Sequence, residues 1–178
     1  SRGLGDVYKR QRDKSVYSRE EAGHWEADTV VSGQGKSKAC FATLAERKTR
    51  FYIAMKMSDR RAETMENAIV AALSAFPPQL VKTITCDRGT EFANWRRIEE
   101  RLHCEVYFAD PYCAWQKGTN ENLNGLLREF YPKGRNLSRV APATLKRNLA
   151  LLNARPRKVL YFHSAQELWD FELNSCCT

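Results

Sequence analysis

Three acidic residues stand where a carboxylate is costly unless it has a partner. Asp28 falls inside a run of β-forming residues, 25–31, and a strand interior disfavours Asp unless its charge is paired or bound to a cation. Asp87 closes a short apolar run, 83–86, at the polar turn Asp87-Arg88-Gly89, and Glu121 lies in the first turn of an amphipathic helix over 119–131. Taken singly, each also reads as a strand-end, capping or solvated residue. Brought together, three carboxylates would repel one another and raise their own pKa values, so a cluster implies a cation. A hard divalent ion such as Mg²⁺ suits carboxylate oxygen, and no Cys or His has the spacing of a zinc site.

The helix carrying Glu121 has two distinct faces. Leu123, Leu126, Leu127 and Phe130 recur at i, i+3, i+4 and i+7 and form its buried stripe. At 100° per residue, Lys117, Glu121, Asn124 and Arg128 fall within roughly 60° of one another on the opposite side. That second stripe is either a solvated face of i,i+4 neighbours or a row of groups presented to a charged ligand. A further basic cluster, Arg155-Pro156-Arg157-Lys158, is open to the same two readings. Tyr112 and Trp115, in the loop before the helix, either stack on an unpaired base or pack against the sheet.

These groups need a scaffold, and the apolar pattern supplies one. Strands are predicted over 25–31, 39–46 and 51–57 with short connections, as in an antiparallel meander. A helix over 65–76 is stopped by Pro77-Pro78, then come a strand at 83–86, a helix at 93–103 and a strand at 105–108. Residues 110–118 read as a loop, followed by helices at 119–131, 143–153 and 165–171. That order indicates one α/β domain with a mixed sheet covered by helices. Residues 1–22 are charged and aperiodic and are expected to form a disordered lead-in, 23–172 the folded core, and 173–178 a tail. Residues 1–11 also resemble translated sequencing-adapter DNA.

A chain of 178 residues suits a single core. Its 29 Lys and Arg against 21 Asp and Glu give a net charge of +8, which favours a polyanionic partner such as nucleic acid. The longest apolar stretch, 68–76, is far short of the ~20 residues that span a bilayer, which argues against a membrane protein. The six cysteines form no CxxC pair, and Cys40 and Cys86 sit in apolar runs as reduced core residues would, so a reducing, cytoplasmic setting is expected.

The segment from Asp110 through Gly125 resembles the third signature of integrase-core transposases, with Pro111-Tyr112, Gln116, Gly118, Glu121 and Asn124 in frame. His24-Trp25-Glu26-Ala27-Asp28 resembles the first signature, and Thr85-Cys86-Asp87-Arg88-Gly89-Thr90-Glu91-Phe92 the second. The 33 residues between Asp87 and Glu121 match the second gap of the DDE triad in such enzymes. The resemblance covers about residues 24–169 and is closest to the insertion-sequence-thirty family. It implies an RNase H-like fold, with a five-stranded mixed sheet flanked by helices. It also implies that Asp28, Asp87 and Glu121 are the catalytic, metal-binding triad, holding two Mg²⁺ (or Mn²⁺) ions with Asp28 as the bridge. Lys117, Asn124, Arg128, Arg155, Arg157 and Lys158 are the implied DNA contacts.

The implied activity is metal-dependent cleavage at transposon ends followed by strand transfer. The implied partners are transposon-end and target DNA and further copies of the chain, in a homodimer or larger transpososome, with no membrane. The implied setting is the bacterial cytoplasm, associated with the nucleoid. Nothing before His24 has room for the helix-turn-helix that reads the ends in such enzymes, so a catalytic core without its reader is expected. Two alternatives remain at this level: an inactive DNA-binding or regulatory fragment, and a stand-alone RNase H-like nuclease.

Overall fold

The five apolar runs form one sheet in the order β3-β2-β1-β4-β5. The structure, a computed structural model, describes residues 15–110 and 114–176. β1 (His24–Val31), β2 (Cys40–Glu46) and β3 (Tyr52–Met57) make the expected antiparallel meander. β4 (Thr83–Cys86) joins β1 in parallel, and β5 (Glu105–Phe108) joins β4 in parallel. The helices are α1 (Ser15–Ser18), α2 (Ala62–Leu73), α3 (Trp95–Leu102), α4 (Gly118–Phe130), α5 (Pro142–Ala154) and α6 (Ala165–Cys176).

Side-chain alternation divides the sheet between two cores. On one face Trp25, Ala27 and Leu44 pack with Met65, Ile69 and Leu73 of α2, Ile98 of α3 and Trp169 of α6. On the other Val30, Phe41 and Tyr52 pack with Leu123 and Leu127 of α4 and Leu145 and Leu152 of α5. β2 is buried along its whole length because both faces are covered. Trp169 secures α6, stacking on Phe51 at 5.2 Å and meeting Trp25 edge-on at 5.3 Å.

Some boundaries move from their expected places. The lead-in expected over 1–22 is folded in its second part: Ser15–Ser18 is a helical turn, and Val16 and Ala22 are buried. Apolar side chains that find a core order even a charged segment. The tail expected from 173 is helical as far as Cys176, with Leu173 and Cys176 packed on the first core. Within the loop expected at 110–118, Ala114–Lys117 forms a 3₁₀ turn leading into α4. α2 ends at Leu73, three residues before Phe76, where the Ser74 hydroxyl turns back on the Val70 carbonyl. Residues 1–14, Pro111, Tyr112, Cys113, Cys177, Thr178 and the Trp115 side chain lie outside the described residues, and with them the stacking expectation for Tyr112 and Trp115.

The sheet opens where chemistry was expected. β4 pairs with only the first three residues of β1, His24–Glu26, while β1 continues to Val31. Past Glu26 the two parallel strands separate at their carboxyl ends, the place where α/β sheets bind ligands. Asp28 lies on the free part of β1, and Asp87 immediately follows β4.

Candidate active site

Asp28 and Asp87 meet across that opening with an ammonium between them. Lys117 Nζ lies 3.3 Å from Asp28 Oδ1 and 3.1 Å from Asp87 Oδ2. Burial pulls the Lys117 pKa down, but the two carboxylates outweigh it and hold the amine above its ordinary value. Both aspartates are fixed by the backbone as well. Asp28 Oδ1 accepts the Thr29 N–H at 2.8 Å, and Asp87 Oδ1 accepts the Gly89 N–H at 2.8 Å. A Cβ at Gly89 would lie 2.4 Å from Glu91 Oε2 and 2.9 Å from Asp87 Oδ1, so any side chain there would displace both carboxylates.

α4 is pinned over this opening by its amides. Leu123 and Leu127 bury one side of it, and Asn120, fully buried, spans β1 and β2. The Asn120 Nδ2 donates to the carbonyls of Glu26 (2.7 Å) and Thr43 (3.1 Å), and its Oδ1 accepts from Thr43 Oγ1 at 3.0 Å. Its backbone N–H donates to Glu26 Oε2 at 2.8 Å. One turn on, Asn124 Nδ2 donates to Asp28 Oδ2 at 3.0 Å while its Oδ1 accepts the Tyr52 hydroxyl at 2.6 Å. Burial pushes the Tyr52 phenol up, so it stays a donor, and the donor fixes which end of the amide faces Asp28. Before the helix, Asp110 and Gln116 clamp the loop with two hydrogen bonds of 2.9 Å.

The remaining predicted residues fall as follows. Glu121 is in the first turn of α4, exposed, three residues before Asn124. Among the described residues no three His, Cys, Asp or Glu side chains are gathered as a metal-binding group; the pair Asp28–Asp87 is joined by Lys117 instead. Arg128 donates to the backbone carbonyls of Val31 (3.1 Å) and Tyr131 (3.3 Å), and burial lowers its pKa. Arg155 pairs with Glu129 at 3.2 Å, Arg157 donates to the Leu152 carbonyl at 3.0 Å, and Lys158 is exposed.

Sequence reasoning missed the supports. Tyr52, Asn120 and the buried Glu91, which accepts from Thr29 Oγ1 and Arg60, are contributed by elements far apart in the chain. The one legible signal was parity, since Glu26 shares the face of Asp28 on β1. The donor set suits a hard divalent cation. Two fixed carboxylates already hold a positive nitrogen, and Glu121 makes no hydrogen bond or ion pair among the described residues.

A five-stranded mixed sheet carrying Asp at the diverging ends of two parallel strands, with Glu on the covering helix, has the architecture of an RNase H-like catalytic core. Solved structures with this fold include the catalytic core domain of BIV integrase, with a TM-score of 0.67 at 16% identity over 88% of this chain and 99% of that one. The HTLV-2 integrase catalytic core, described in complex with magnesium and in a trimeric form, has a TM-score of 0.63 at 14% identity over 83% of this chain and 97% of that one.

Residues 18–114 match the model of the integrase core domain, and the chain belongs to that family. Among curated relatives, the probable transposase of insertion-like sequence element IS1161 from Streptococcus salivarius is 36% identical over 90% of this chain and 45% of its own length. The transposase of insertion sequence element IS30C from Escherichia coli K12 is 35% identical over 89% of this chain and 40% of its own length. The chain thus spans less than half the length of these two relatives. Among the described residues no helix is long and apolar enough to cross a membrane.

Proposed function

We propose that this chain is the catalytic core of an insertion-sequence transposase, cutting transposon ends and joining them to target DNA by divalent-metal-dependent phosphoryl transfer. The observation that carries the reading is the Asp28–Lys117–Asp87 bridge: two fixed carboxylates holding a cation where β1 and β4 part. In this reading Asp28, Asp87 and Glu121 hold the metal, two Mg²⁺ or Mn²⁺ ions. Ions held there would supply stabilisation of the charge on the attacking and leaving oxygens of an in-line displacement. Asn124, oriented by Tyr52, keeps Asp28 aimed into the opening. Lys117, which here holds the two aspartates together, would be free to meet a DNA phosphate once they held metal. Arg128, Arg155, Arg157 and Lys158 add phosphate contacts, which orient a strand without reading its sequence. The working assembly contains more than one copy of the protein.

Lys117 and the metal compete for the same oxygens, so Lys117→Ala is expected to tighten Mg²⁺ binding several-fold in calorimetric titrations. Weaker binding in the variant would show that Lys117 organises the site for metal instead of opposing it. The function itself is tested by strand transfer from a duplex with a pre-cleaved end. Joined product should form with Mg²⁺ or Mn²⁺ and disappear with a chelator. Joining that persists without divalent metal, or that never forms with it, rejects the proposal.

A further inference from the structure

α4 has a second polar side, facing away from the aspartates and toward arginines of other segments. Gly118, Thr119 and Asn122 lie roughly opposite Lys117, Glu121 and Asn124 around the helix axis. There they line a cavity of about 250 Å³ together with Arg19, Arg50 and Arg157. No acidic side chain lines it, and among the described residues none of the three arginines pairs with a carboxylate. Like charges in one cavity repel, and more strongly where water is excluded. Burial pulls the Arg50 pKa down to about 10; Arg19 and Arg157 push the same way, against Glu26 and Glu46. Arg157 Nε is buried without a hydrogen-bond acceptor. Among the described residues only Arg50 finds a side-chain partner, donating to Thr119 Oγ1 at 2.6 Å.

What the cavity lacks is an anion. It sits at the amino end of a 13-residue helix, where the helix dipole favours negative charge and the first backbone N–H groups have no intrahelical acceptor, that of Asn120 being already taken by Glu26 Oε2. The space beside Gly118, where a side chain would stand, is open, so a ligand can approach the backbone. Guanidinium forks and helix N–H groups together are phosphate chemistry. The positive charge also extends beyond one ion, because Lys158, next to Arg157, is exposed, as is Arg155, which Glu129 holds at 3.2 Å. A free phosphate would leave Lys158 unused, whereas a strand carries its next phosphate to it.

We propose that the Arg19–Arg50–Arg157 cavity is a phosphate site, filled in the working protein by a backbone phosphodiester of DNA running past the amino end of α4. The site rests on its own geometry, and only the source of the phosphate rests on the function proposed above. A strand held there is gripped on the side of α4 opposite the aspartates, so the helix acts as a post around which DNA is positioned.

The test needs no metal and reads no catalysis. Inorganic phosphate, compared with chloride at equal ionic strength, should raise the Tm of the full chain by about 3–5 °C at ten times its dissociation constant. The rise should vanish in R19Q/R157Q. Arg19→Gln alone, at a side chain without a protein hydrogen bond among the described residues, should reduce it and covers the case in which the double variant unfolds. An equal rise in wild type and variants would be a general salt effect and would overturn the site. Metal-free anisotropy with a short duplex then identifies the source. The slope of log K against log salt should become shallower by about one for each DNA phosphate that the variant no longer neutralises. A slope unchanged in a variant that has lost the phosphate response would mean a free-phosphate site and would overturn the DNA assignment. Neither failure touches strand transfer, which is measured separately with metal.

Discussion

Asp28→Asn is expected to lower strand transfer on the order of a thousandfold while leaving the fold intact. The magnitude is that of removing one fixed group from charge that develops in a transition state. Asn keeps the shape and an oxygen for the Thr29 N–H, so the backbone at position 28 loses little. What it removes is the negative charge shared by Lys117 and, in the proposed mechanism, by the metal. It also sets two amides against each other, because Asn124 is committed by Tyr52 to present its NH₂ to residue 28. Raising Mg²⁺ should not rescue the variant, since a missing ligand charge is not replaced by mass action. The measurement is strand transfer from a pre-cleaved duplex over a Mg²⁺ series, with thermal melts of both proteins alongside. A variant within tenfold of wild type at an unchanged Tm would remove Asp28 from the chemistry.

The positions of the carboxylates were legible because local signals fixed them. Asp28 interrupts an apolar strand, Asp87 closes one, and the leucine stripe of α4 sets which way Glu121 cannot point. The element order was legible for the same reason, strand by strand. Partner choice was not. Periodicity placed Lys117 on the same stripe as Glu121 and Asn124, ready for DNA. It does not report that a 3₁₀ turn lies there, nor that a side chain from it reaches two strands lying 30 and 89 residues back in the chain. Arg128 was read the same way, and two of its five N–H donors go to backbone carbonyls. The arginine cavity was invisible for a related reason. Arg19, Arg50 and Arg157 come from three separate segments that share nothing in sequence except charge.

Asn120→Ala is expected to cost about 3–5 kcal/mol of stability and to impair strand transfer in whatever fraction remains folded. Three polar groups bond to that side chain: the carbonyls of Glu26 and Thr43 and the hydroxyl of Thr43, which also donates to the Asp28 carbonyl at 3.3 Å, all in a region with no exposure at Asn120, Glu26 or Thr43. Truncation removes a buried hydrogen bond from each, at about 0.5–1.5 kcal/mol apiece, and leaves a cavity that adds to the loss. The backbone N–H of residue 120 survives the change and still reaches Glu26 Oε2, so the buried carboxylate keeps that bond and its approach to Arg47 at 3.5 Å. The loss is therefore one of registry: the first turn of α4 is no longer held against β1 and β2. Lys117 and Asn124 flank that turn and both reach Asp28, so a small shift there loosens both interactions at once. Chemical denaturation should show a lower midpoint with an unchanged slope, as expected when stability falls without a change in the surface exposed on unfolding. Activity per folded molecule should also fall, which separates the pin from an ordinary core residue. A destabilised variant with full activity per folded molecule would make Asn120 a structural residue only.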